Sequence, residues 1–194
     1  MKNNYLDNYL LENKVDKIEF ENLLAKMNIS KELCSDLLLQ LDDKKYTRNE
    51  VNLNHFIYWL KVSEFIDGNV ECFSSRPAFP HQIYRISLGR KNYIELQRNL
   101  RVNLVAIYVN IKDKNKEIFE YLYNFKDEIE DIVGIELLWD KRDGEISSKI
   151  SQAYVIDISD VDNWPVAIDW QVKLAEKLYI AFYPLLEEYY NIIL

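Results

Sequence analysis

The spacing of apolar residues changes once along the chain, and this change constrains the fold more than any other feature. Before residue 76 the apolar side chains recur three and four positions apart, as on one side of a helix. From Ile83 they alternate at every second position, as in a strand. Between the two regions lies Arg76–Pro80, whose two prolines interrupt any helix or central strand. We therefore predict an α+β protein, with a helical module over residues 1–75 and an α+β domain over residues 76–194.

The first region predicts four helices, at about residues 6–11, 16–27, 30–41 and 54–68. Ser30 and Asn54 are suitable N-caps, and Gly68 is expected to end the last helix in a left-handed conformation. The continuation through Phe65–Phe73 suggests a winged helix-turn-helix, in which a helix leads through a tight turn into a strand. The helix from Ser30 carries one cation, Lys31, against two acids, whereas a DNA-reading helix is normally basic. The pattern therefore favours a docking or dimerisation module.

The second region predicts the element order β-β-β-α-β-β-α. Strands are expected at 83–88, 93–96, 101–111, 135–139 and 146–158, with helices at 114–133 and from a cap at Asp162 onward. Short connections favour a mainly antiparallel sheet, and both helices are expected to cover one face of it. Residues 101–111 carry apolar side chains on both faces, which is typical of a central strand.

The residue types that carry common catalytic and cofactor chemistry are scarce. The four glycines form neither of the phosphate-binding motifs G-x-x-x-x-G-K and G-x-G-x-x-G. Two cysteines and two histidines, none in a Cys-x-x-Cys pair, do not supply a zinc site, and Ser147 and Ser148 have no nearby histidine. We expect no cofactor, no metal and no catalytic residue, so a non-enzymatic role is favoured.

The chain shows no signal for export or membrane insertion. Its first residues mix polar and apolar side chains, unlike the apolar core of a signal peptide. It also has no apolar run of about 18 residues, the length of a membrane-spanning helix. Cys34 and Cys72 are interpreted as reduced thiols. We therefore expect a cytoplasmic protein with no membrane contact.

Charge is distributed unevenly along the chain. The net charge is −4 over residues 1–75, +7 over residues 76–116 and −11 over residues 117–194. Either the basic strands are neutralised by the acidic helices, or they present a surface to a polyanion. In the second case seven side chains are candidates for phosphate contact: Arg85, Arg90, Lys91, Arg98, Arg101, Lys112 and Lys114. We expect Arg85 to approach Arg98 or Arg101 on one face of the sheet.

Two groups of side chains are candidates for a metal site. Nucleases of the PD-(D/E)xK type hold Mg²⁺ with an Asp on one strand and an (Asp/Glu)-x-Lys motif on the next. The nearest equivalents here are Glu95 and Asn110–Lys112, in which an amide replaces the second acid. Asp157, Asp160 and Asp162 are closely spaced but lack the spacing of a calcium loop, so helix capping explains them better.

Several short motifs carry a family resemblance. The most specific are the run from Glu130 to Trp139, the pair Trp164-Pro165 and the pair Asp169-Trp170, and Ile86–Arg90 also fits. In these motifs residues 76–190 resemble an uncharacterised bacterial and archaeal domain family that often lies C-terminal to PD-(D/E)xK nuclease-like segments. The resemblance implies an α+β accessory module linked to DNA restriction and phage defence, with no catalytic residues to transfer.

Three functions are compatible with these observations. The first is a non-enzymatic accessory protein of a nucleic-acid-processing or phage-defence system, which acts through protein contacts, including a homodimer, and through weak phosphate contacts. The second is a degenerate metal-dependent nuclease of the PD-(D/E)xK type. The third is a small acidic regulator whose C-terminal half masks a basic partner. A gel-shift assay separates the first from the third, and metal-dependent cleavage identifies the second.

Overall fold

The computed structural model describes residues 3–12, 16–42, 53–79 and 81–192. The chain divides into two compact units, one made of residues 1–57 with 79–81 and the other of residues 58–78 with 82–194. In sequence, the units therefore meet inside a helix, between Ile57 and Tyr58. The division into modules over residues 1–75 and 76–194 stays a prediction.

The first unit is helical. It contains α1 (Asn3–Glu12), α2 (Lys17–Lys26), α3 (Lys31–Asp42) and the start of α4 (Leu53–Asn69). Side chains before two helices supply the capping bonds that free backbone N–H groups need. The Asp16 carboxylate accepts from the Glu19 N–H at 2.9 Å, and Ser30 Oγ accepts from the Leu33 N–H at 3.1 Å. The predicted cap at Ser30 is confirmed.

Two predictions about α4 are wrong. Asn54 is not an N-cap, because the helix already includes Leu53. Gly68 is not a left-handed cap, because the Val70 N–H donates to the Ile66 carbonyl at 2.9 Å and the regular helical bonding runs past it. The wing strand predicted within 65–73 does not form, since α4 occupies the segment to Asn69 and no strand follows until residue 83.

The second unit is built on a five-stranded sheet. Its strands are β1 (Ile83–Ser87), β2 (Tyr93–Asn99), β3 (Leu104–Lys112), β4 (Leu138–Asp140) and β5 (Ser147–Val155). They lie in the order β1-β2-β3-β5-β4, and every neighbouring pair is antiparallel. The predicted α+β class and the central position of β3 are confirmed.

Besides the rest of α4, this unit contains three helices: α5 (Glu117–Tyr123), α6 (Lys126–Val133) and α7 (Trp164–Ile192). The single helix predicted over residues 114–133 is interrupted, because the Phe125 N–H donates to the Leu122 carbonyl at 3.0 Å, which tightens the turn. The predicted cap at Asp162 is also wrong. Asp160 caps a single turn over Val161–Asn163, through a 3.0 Å bond from the Asp162 N–H, and α7 begins directly after it.

The core lies between the sheet and α7. One face of the sheet is apolar at alternate positions of its central strands, as in Ile94, Leu96, Ile107 and Val109, and these side chains are fully buried. Residues of α7 such as Val172, Leu178 and Phe182 are equally buried, and α7 contacts both β2 and β3. The opposite face of the sheet, here called the open face, carries Arg85, Glu95, Asn110 and Lys149. None of the helices in the described ranges is long and apolar enough to cross a bilayer.

Candidate nucleic-acid interface

The structure distributes the seven predicted phosphate-binding residues over four places. Arg85 lies on the open face, Arg98 is in the core, and Arg101 is at the far end of the sheet. The other four lie at one end of the sheet: Arg90, Lys91, Lys112 and Lys114. The seven side chains therefore do not form a single surface.

The first group, here called the basic end, combines the β1–β2 turn with the residues that end β3. Its organising residue is Asn92, which is 1% exposed. The Asn92 side chain accepts from the Lys112 N–H at 3.0 Å and donates to the Tyr190 hydroxyl at 2.8 Å. The turn carrying Arg90 and Lys91 is thereby fixed beside the end of β3 and the end of α7. All four cations of the basic end are exposed.

The backbone of the turn is strained where its cations lie. Gly89, Arg90 and Lys91 have consecutive positive φ values of 83°, 41° and 73°. Glycine adopts this conformation freely, but a residue with a Cβ does so at a cost of about 1–2 kcal/mol. Asn or Gly would suit these positions better, so the turn holds two cations at the expense of local stability. Strain of this kind is characteristic of functional sites.

The cations of the basic end have no acidic partner in the part of the chain that the structure describes. No carboxylate there lies within 4.0 Å of the charged atoms of Arg90, Lys91, Lys112 or Lys114. The Arg90 guanidinium lies 4.7 Å above the Tyr190 ring. Glu187 is nearby, with one oxygen 3.7 Å from where a Cβ would lie at Gly89. This end of the sheet therefore presents cations that internal ion pairs have not neutralised.

Lys116 is a further residue of this end that the sequence analysis did not single out. It follows Lys114 in the β3–α5 loop and adopts a left-handed conformation with a φ of 66°. Its side chain is buried, and within the described residues its Nζ has no hydrogen-bond partner. A buried ammonium without partners is costly, which makes it a candidate for an anion contact. Only its place in the +7 segment could have indicated it.

Arg98 belongs to the core and not to a surface. It is 1% exposed, and its Nη2 donates to the Ile158 carbonyl at 2.8 Å. Its guanidinium lies 4.5 Å from the Trp164 ring and 5.1 Å from the Tyr58 ring, both cation–π distances. Burial lowers the pKa of Arg98 to about 10, so the side chain remains charged at neutral pH. It cannot contact a polyanion from this position.

The expected approach of Arg85 to Arg98 or Arg101 is wrong. Arg85 pairs in register with Glu95, and residues 95 and 98 of one strand point to opposite faces. Arg101 lies in the β2–β3 turn, at the other end of the seven-residue strand β2 from the basic end. Arg101 is six positions beyond Glu95, the partner of Arg85, which at about 3.4 Å per residue is about 20 Å along the strand direction.

Six side chains form a polar cluster in the middle of the open face. Across β1, β2, β3 and β5, two neighbouring rows of this face include Arg85–Glu95–Tyr108 and Tyr93–Asn110–Lys149. We call these six residues the open-face cluster. At its centre, Glu95 is 6% exposed and Asn110 is 4% exposed. The cluster is thus a packed polar network and not a set of independent surface side chains.

Glu95 holds the network together. Its Oε1 accepts from Arg85 Nε and pairs with Arg85 Nη2, both at 2.9 Å. Its Oε2 accepts from Asn110 Nδ2 at 2.8 Å. A buried carboxylate is tolerated when donors satisfy it in this way.

The two tyrosines of the cluster lie under cations. The Arg85 guanidinium is 4.7 Å from the Tyr93 ring centroid, and Lys149 Nζ is 4.6 Å from that of Tyr108. Burial, and then the negative charge of Glu95, raise the pKa of Tyr108, so this phenol stays neutral at physiological pH. Sequence alone does not indicate Tyr93, Tyr108 or Lys149, because only the register of the sheet brings them together.

The candidate metal ligands make other contacts in the structure. Glu95, Asn110 and Lys112 do lie on one face of adjacent strands, but both oxygens of Glu95 are engaged by donors. Asp157 accepts from Ser159, and Asp160 from the Asp162 N–H, so these two acids cap turns. Across the described ranges, no three His, Cys, Asp or Glu side chains are grouped as metal ligands would be.

The fold and site define an α+β domain with an antiparallel sheet, a long C-terminal helix on one face and a basic end. Residues 55–186 match the model of a protein family described as Domain of unknown function (DUF4268). Because this match covers more than half of the chain, the protein belongs to that family. The resemblance over residues 76–190 is confirmed at the level of an uncharacterised domain family. No curated protein and no solved structure shows detectable similarity to the chain.

Proposed function

We propose that the chain is a non-enzymatic accessory protein that contacts nucleic-acid phosphates through its basic end. One observation carries the proposal: four exposed cations lie at one end of the sheet, in the β1–β2 turn and at and just after the end of β3, and no carboxylate of the described residues lies within 4.0 Å of them. Phosphate contacts need clustered cations but no exact spacing. The strained turn that holds Arg90 and Lys91 also supports a function for these two side chains.

The overall acidity of the chain does not remove this potential. The net charge is −8, and most of the acids lie in residues 117–194. Interactions between exposed charges are screened beyond about 8–10 Å in physiological salt. Acids farther away than this leave the local attraction of the basic end largely intact, although they weaken long-range steering of a polyanion.

The accessory role rests on the domain resemblance. Domains of this kind that follow PD-(D/E)xK nuclease-like segments would belong to restriction or phage-defence proteins, and we infer a similar setting for this chain. In this chain a helical unit lies before the sheet, and helices of this kind suit docking onto a protein partner or a second copy of the chain. The proposed setting is therefore a cytoplasmic nucleic-acid-processing complex in which this protein binds and does not cut.

The first prediction concerns the basic end. Changing Arg90 and Lys91 to Glu should abolish polyanion binding, because it replaces two phosphate contacts with two repulsive charges. Wild-type affinity for a short oligonucleotide should fall steeply with salt. A plot of the logarithm of the binding constant against the logarithm of the salt concentration should have a slope of about −0.7 to −0.9 for each phosphate neutralised. Fluorescence anisotropy at several salt concentrations measures both quantities. The melting temperature should change only slightly, since both side chains are exposed, have no acidic partner in the described ranges, and lose only the exposed contact of Arg90 with the Tyr190 ring.

A matched control carries the same change in charge elsewhere. Arg101 and Lys173 are both exposed and lie outside the basic end, so R101E/K173E alters the net charge equally. This control should retain binding. An equal loss in both double variants would show an effect of net charge alone, and absence of wild-type binding at low salt would refute the proposal. A large fall in melting temperature for R90E/K91E would instead show that these cations are neutralised internally.

A second candidate function follows from the placement of Glu95, Asn110 and Lys112. In a PD-(D/E)xK nuclease an acid on one strand and an (Asp/Glu)-x-Lys motif on the next share a face, as these residues do. Here the second acid is an amide, which is a poor ligand for a hard cation. We therefore expect no cleavage of DNA or RNA with Mg²⁺ or Mn²⁺. Cleavage that disappears in Glu95→Ala would establish this alternative.

A further inference from the structure

The open face presents two aromatic rings side by side, one on β2 and one on the neighbouring strand β3. Tyr93 of β2 lies opposite Asn110, and Tyr108 of β3 lies opposite Glu95. The two tyrosines are thus diagonal neighbours on one face, a relation in which residues lie about 7–8 Å apart. Within the described residues neither phenol hydroxyl makes a hydrogen bond, so no polar contact there fixes the rings. Both side chains are half-exposed.

Aromatic rings on the uncovered face of an antiparallel sheet are a means of binding unpaired bases. Each base stacks on one ring, and neighbouring cations hold the phosphates between them. Bases inside a duplex are already stacked and cannot reach such rings. The chemistry of this face therefore favours single strands over duplexes.

The charges of the open face fit this ligand. Arg85 lies over the Tyr93 ring and Lys149 over the Tyr108 ring, 4.7 Å and 4.6 Å from the ring centroids. A base that stacks on either ring would take the place of the cation, which then lies beside the phosphate of that nucleotide. Glu95 is buried and already engaged by Arg85 and Asn110, so it offers little repulsion. The remaining acid, Asp140, lies on the edge strand opposite Lys149.

The platform is continuous with the basic end. Tyr93 is the first residue after the turn that carries Arg90 and Lys91. Lys112 lies two residues beyond Asn110 and therefore on the same face. A strand whose bases lie on the two rings could extend its phosphates toward these cations without leaving the surface.

We propose that the open-face cluster binds single-stranded nucleic acid by stacking bases on Tyr93 and Tyr108. The proposal rests on the proposed function, because the basic end supplies the phosphate contacts. The two rings supply the preference for unpaired bases. Stacking is tolerant of base identity, so we expect weak sequence preference.

The test compares single-stranded DNA, single-stranded RNA and a duplex of the same sequence by fluorescence anisotropy with labelled 12-mers. The single strands should bind more tightly than the duplex. Tyr93→Leu and Tyr108→Leu should each weaken single-strand binding by about tenfold, because one stacked base is lost. Their salt dependence should match that of wild type, since no cation is removed. Tyr108→Phe should bind normally, because it keeps the ring.

Tyr154→Leu is the matched control. Tyr154 is also a strand tyrosine and is 36% exposed, but it stacks on Trp170 of α7 at 5.5 Å and lies on the other face. Its loss should leave binding unchanged. If a Leu variant fails to fold, Tyr108→Trp replaces it, and quenching of the added indole by the oligonucleotide is expected.

The outcomes separate the two proposals. Equal affinity for single strands and duplex, with normal binding by both Leu variants and loss in R90E/K91E, would overturn stacking and leave the phosphate contacts standing. A Tyr108→Trp variant that binds without quenching would also overturn it. Failure of the wild-type protein to bind any oligonucleotide at low salt would remove both proposals.

Discussion

Changing Gln171 to Ala is expected to lower the free energy of unfolding by about 4 kcal/mol, because three buried polar groups would lose their partner. Gln171 is fully buried in α7. Its Nε2 donates to the Gln97 carbonyl at 3.0 Å and to the Ala106 carbonyl at 3.1 Å, which joins the helix to two neighbouring strands. Its Oε1 accepts from the Tyr58 hydroxyl at 2.8 Å. Urea denaturation monitored by circular dichroism measures the change.

Two companion variants make the result specific. Tyr58→Phe removes one of the three bonds and should cost about 1–2 kcal/mol. Lys173 lies two positions after Gln171 in the same helix and forms an exposed ion pair with Asp169. Lys173→Ala removes this ion pair and should cost less than about 0.5 kcal/mol. A Gln171→Ala variant as stable as Lys173→Ala would show that α7 is not held to the sheet by this amide.

Changing Asn110 to Asp should destabilise the fold by about 3 kcal/mol at pH 7, because it places a second carboxylate against Glu95 in a buried site. Asn110 Nδ2 now lies 2.8 Å from Glu95 Oε2 and donates to it. Two carboxylates at that distance can coexist only if they share a proton. Urea denaturation at pH 7 measures the loss.

This variant also distinguishes the nucleic-acid-binding account from the degenerate nuclease. Asn99→Asp is the control, since Asn99 Oδ1 accepts from the Arg101 N–H and a carboxylate can do the same. If Mn²⁺ raises the melting temperature of Asn110→Asp by several degrees and leaves Asn99→Asp unchanged, the strands retain a metal-site geometry. That result would mean that the presence of Asn in place of Asp at position 110 is what prevents metal binding, and it would support the degenerate-nuclease alternative. We expect no such rise.

The fold was largely predictable because its signals are local. Alternation from Ile83 placed the strands, and apolar side chains on both faces placed β3 at the centre of the sheet. The break in the helix at Asn124–Phe125 was not predictable, because apolar residues keep their helical spacing across it and neither Gly nor Pro marks it. Its cause is a tightened turn that only the backbone bonding reveals.

The site was predictable only in part, because it depends on register. The +7 segment contains all four cations of the basic end, but sequence does not tell which face of the sheet each cation occupies. Strand β2 extends to Asn99, three residues beyond its predicted end, and this extension carries Arg98 into the core. Tyr93, Tyr108 and Lys149 come from three strands, and Lys149 lies in the acidic third of the sequence. Their proximity is a property of strand pairing.

The most direct test of the central claim is to locate the bound nucleic acid on the protein. Amide chemical shifts of the ¹⁵N-labelled, 23.2 kDa chain would be followed as a short single-stranded oligonucleotide is added at low salt. The account predicts that the largest changes fall in residues 89–95 and 108–116, and that they diminish as salt is added. Changes confined to α1–α3, or a spectrum that does not respond to the oligonucleotide, would contradict it.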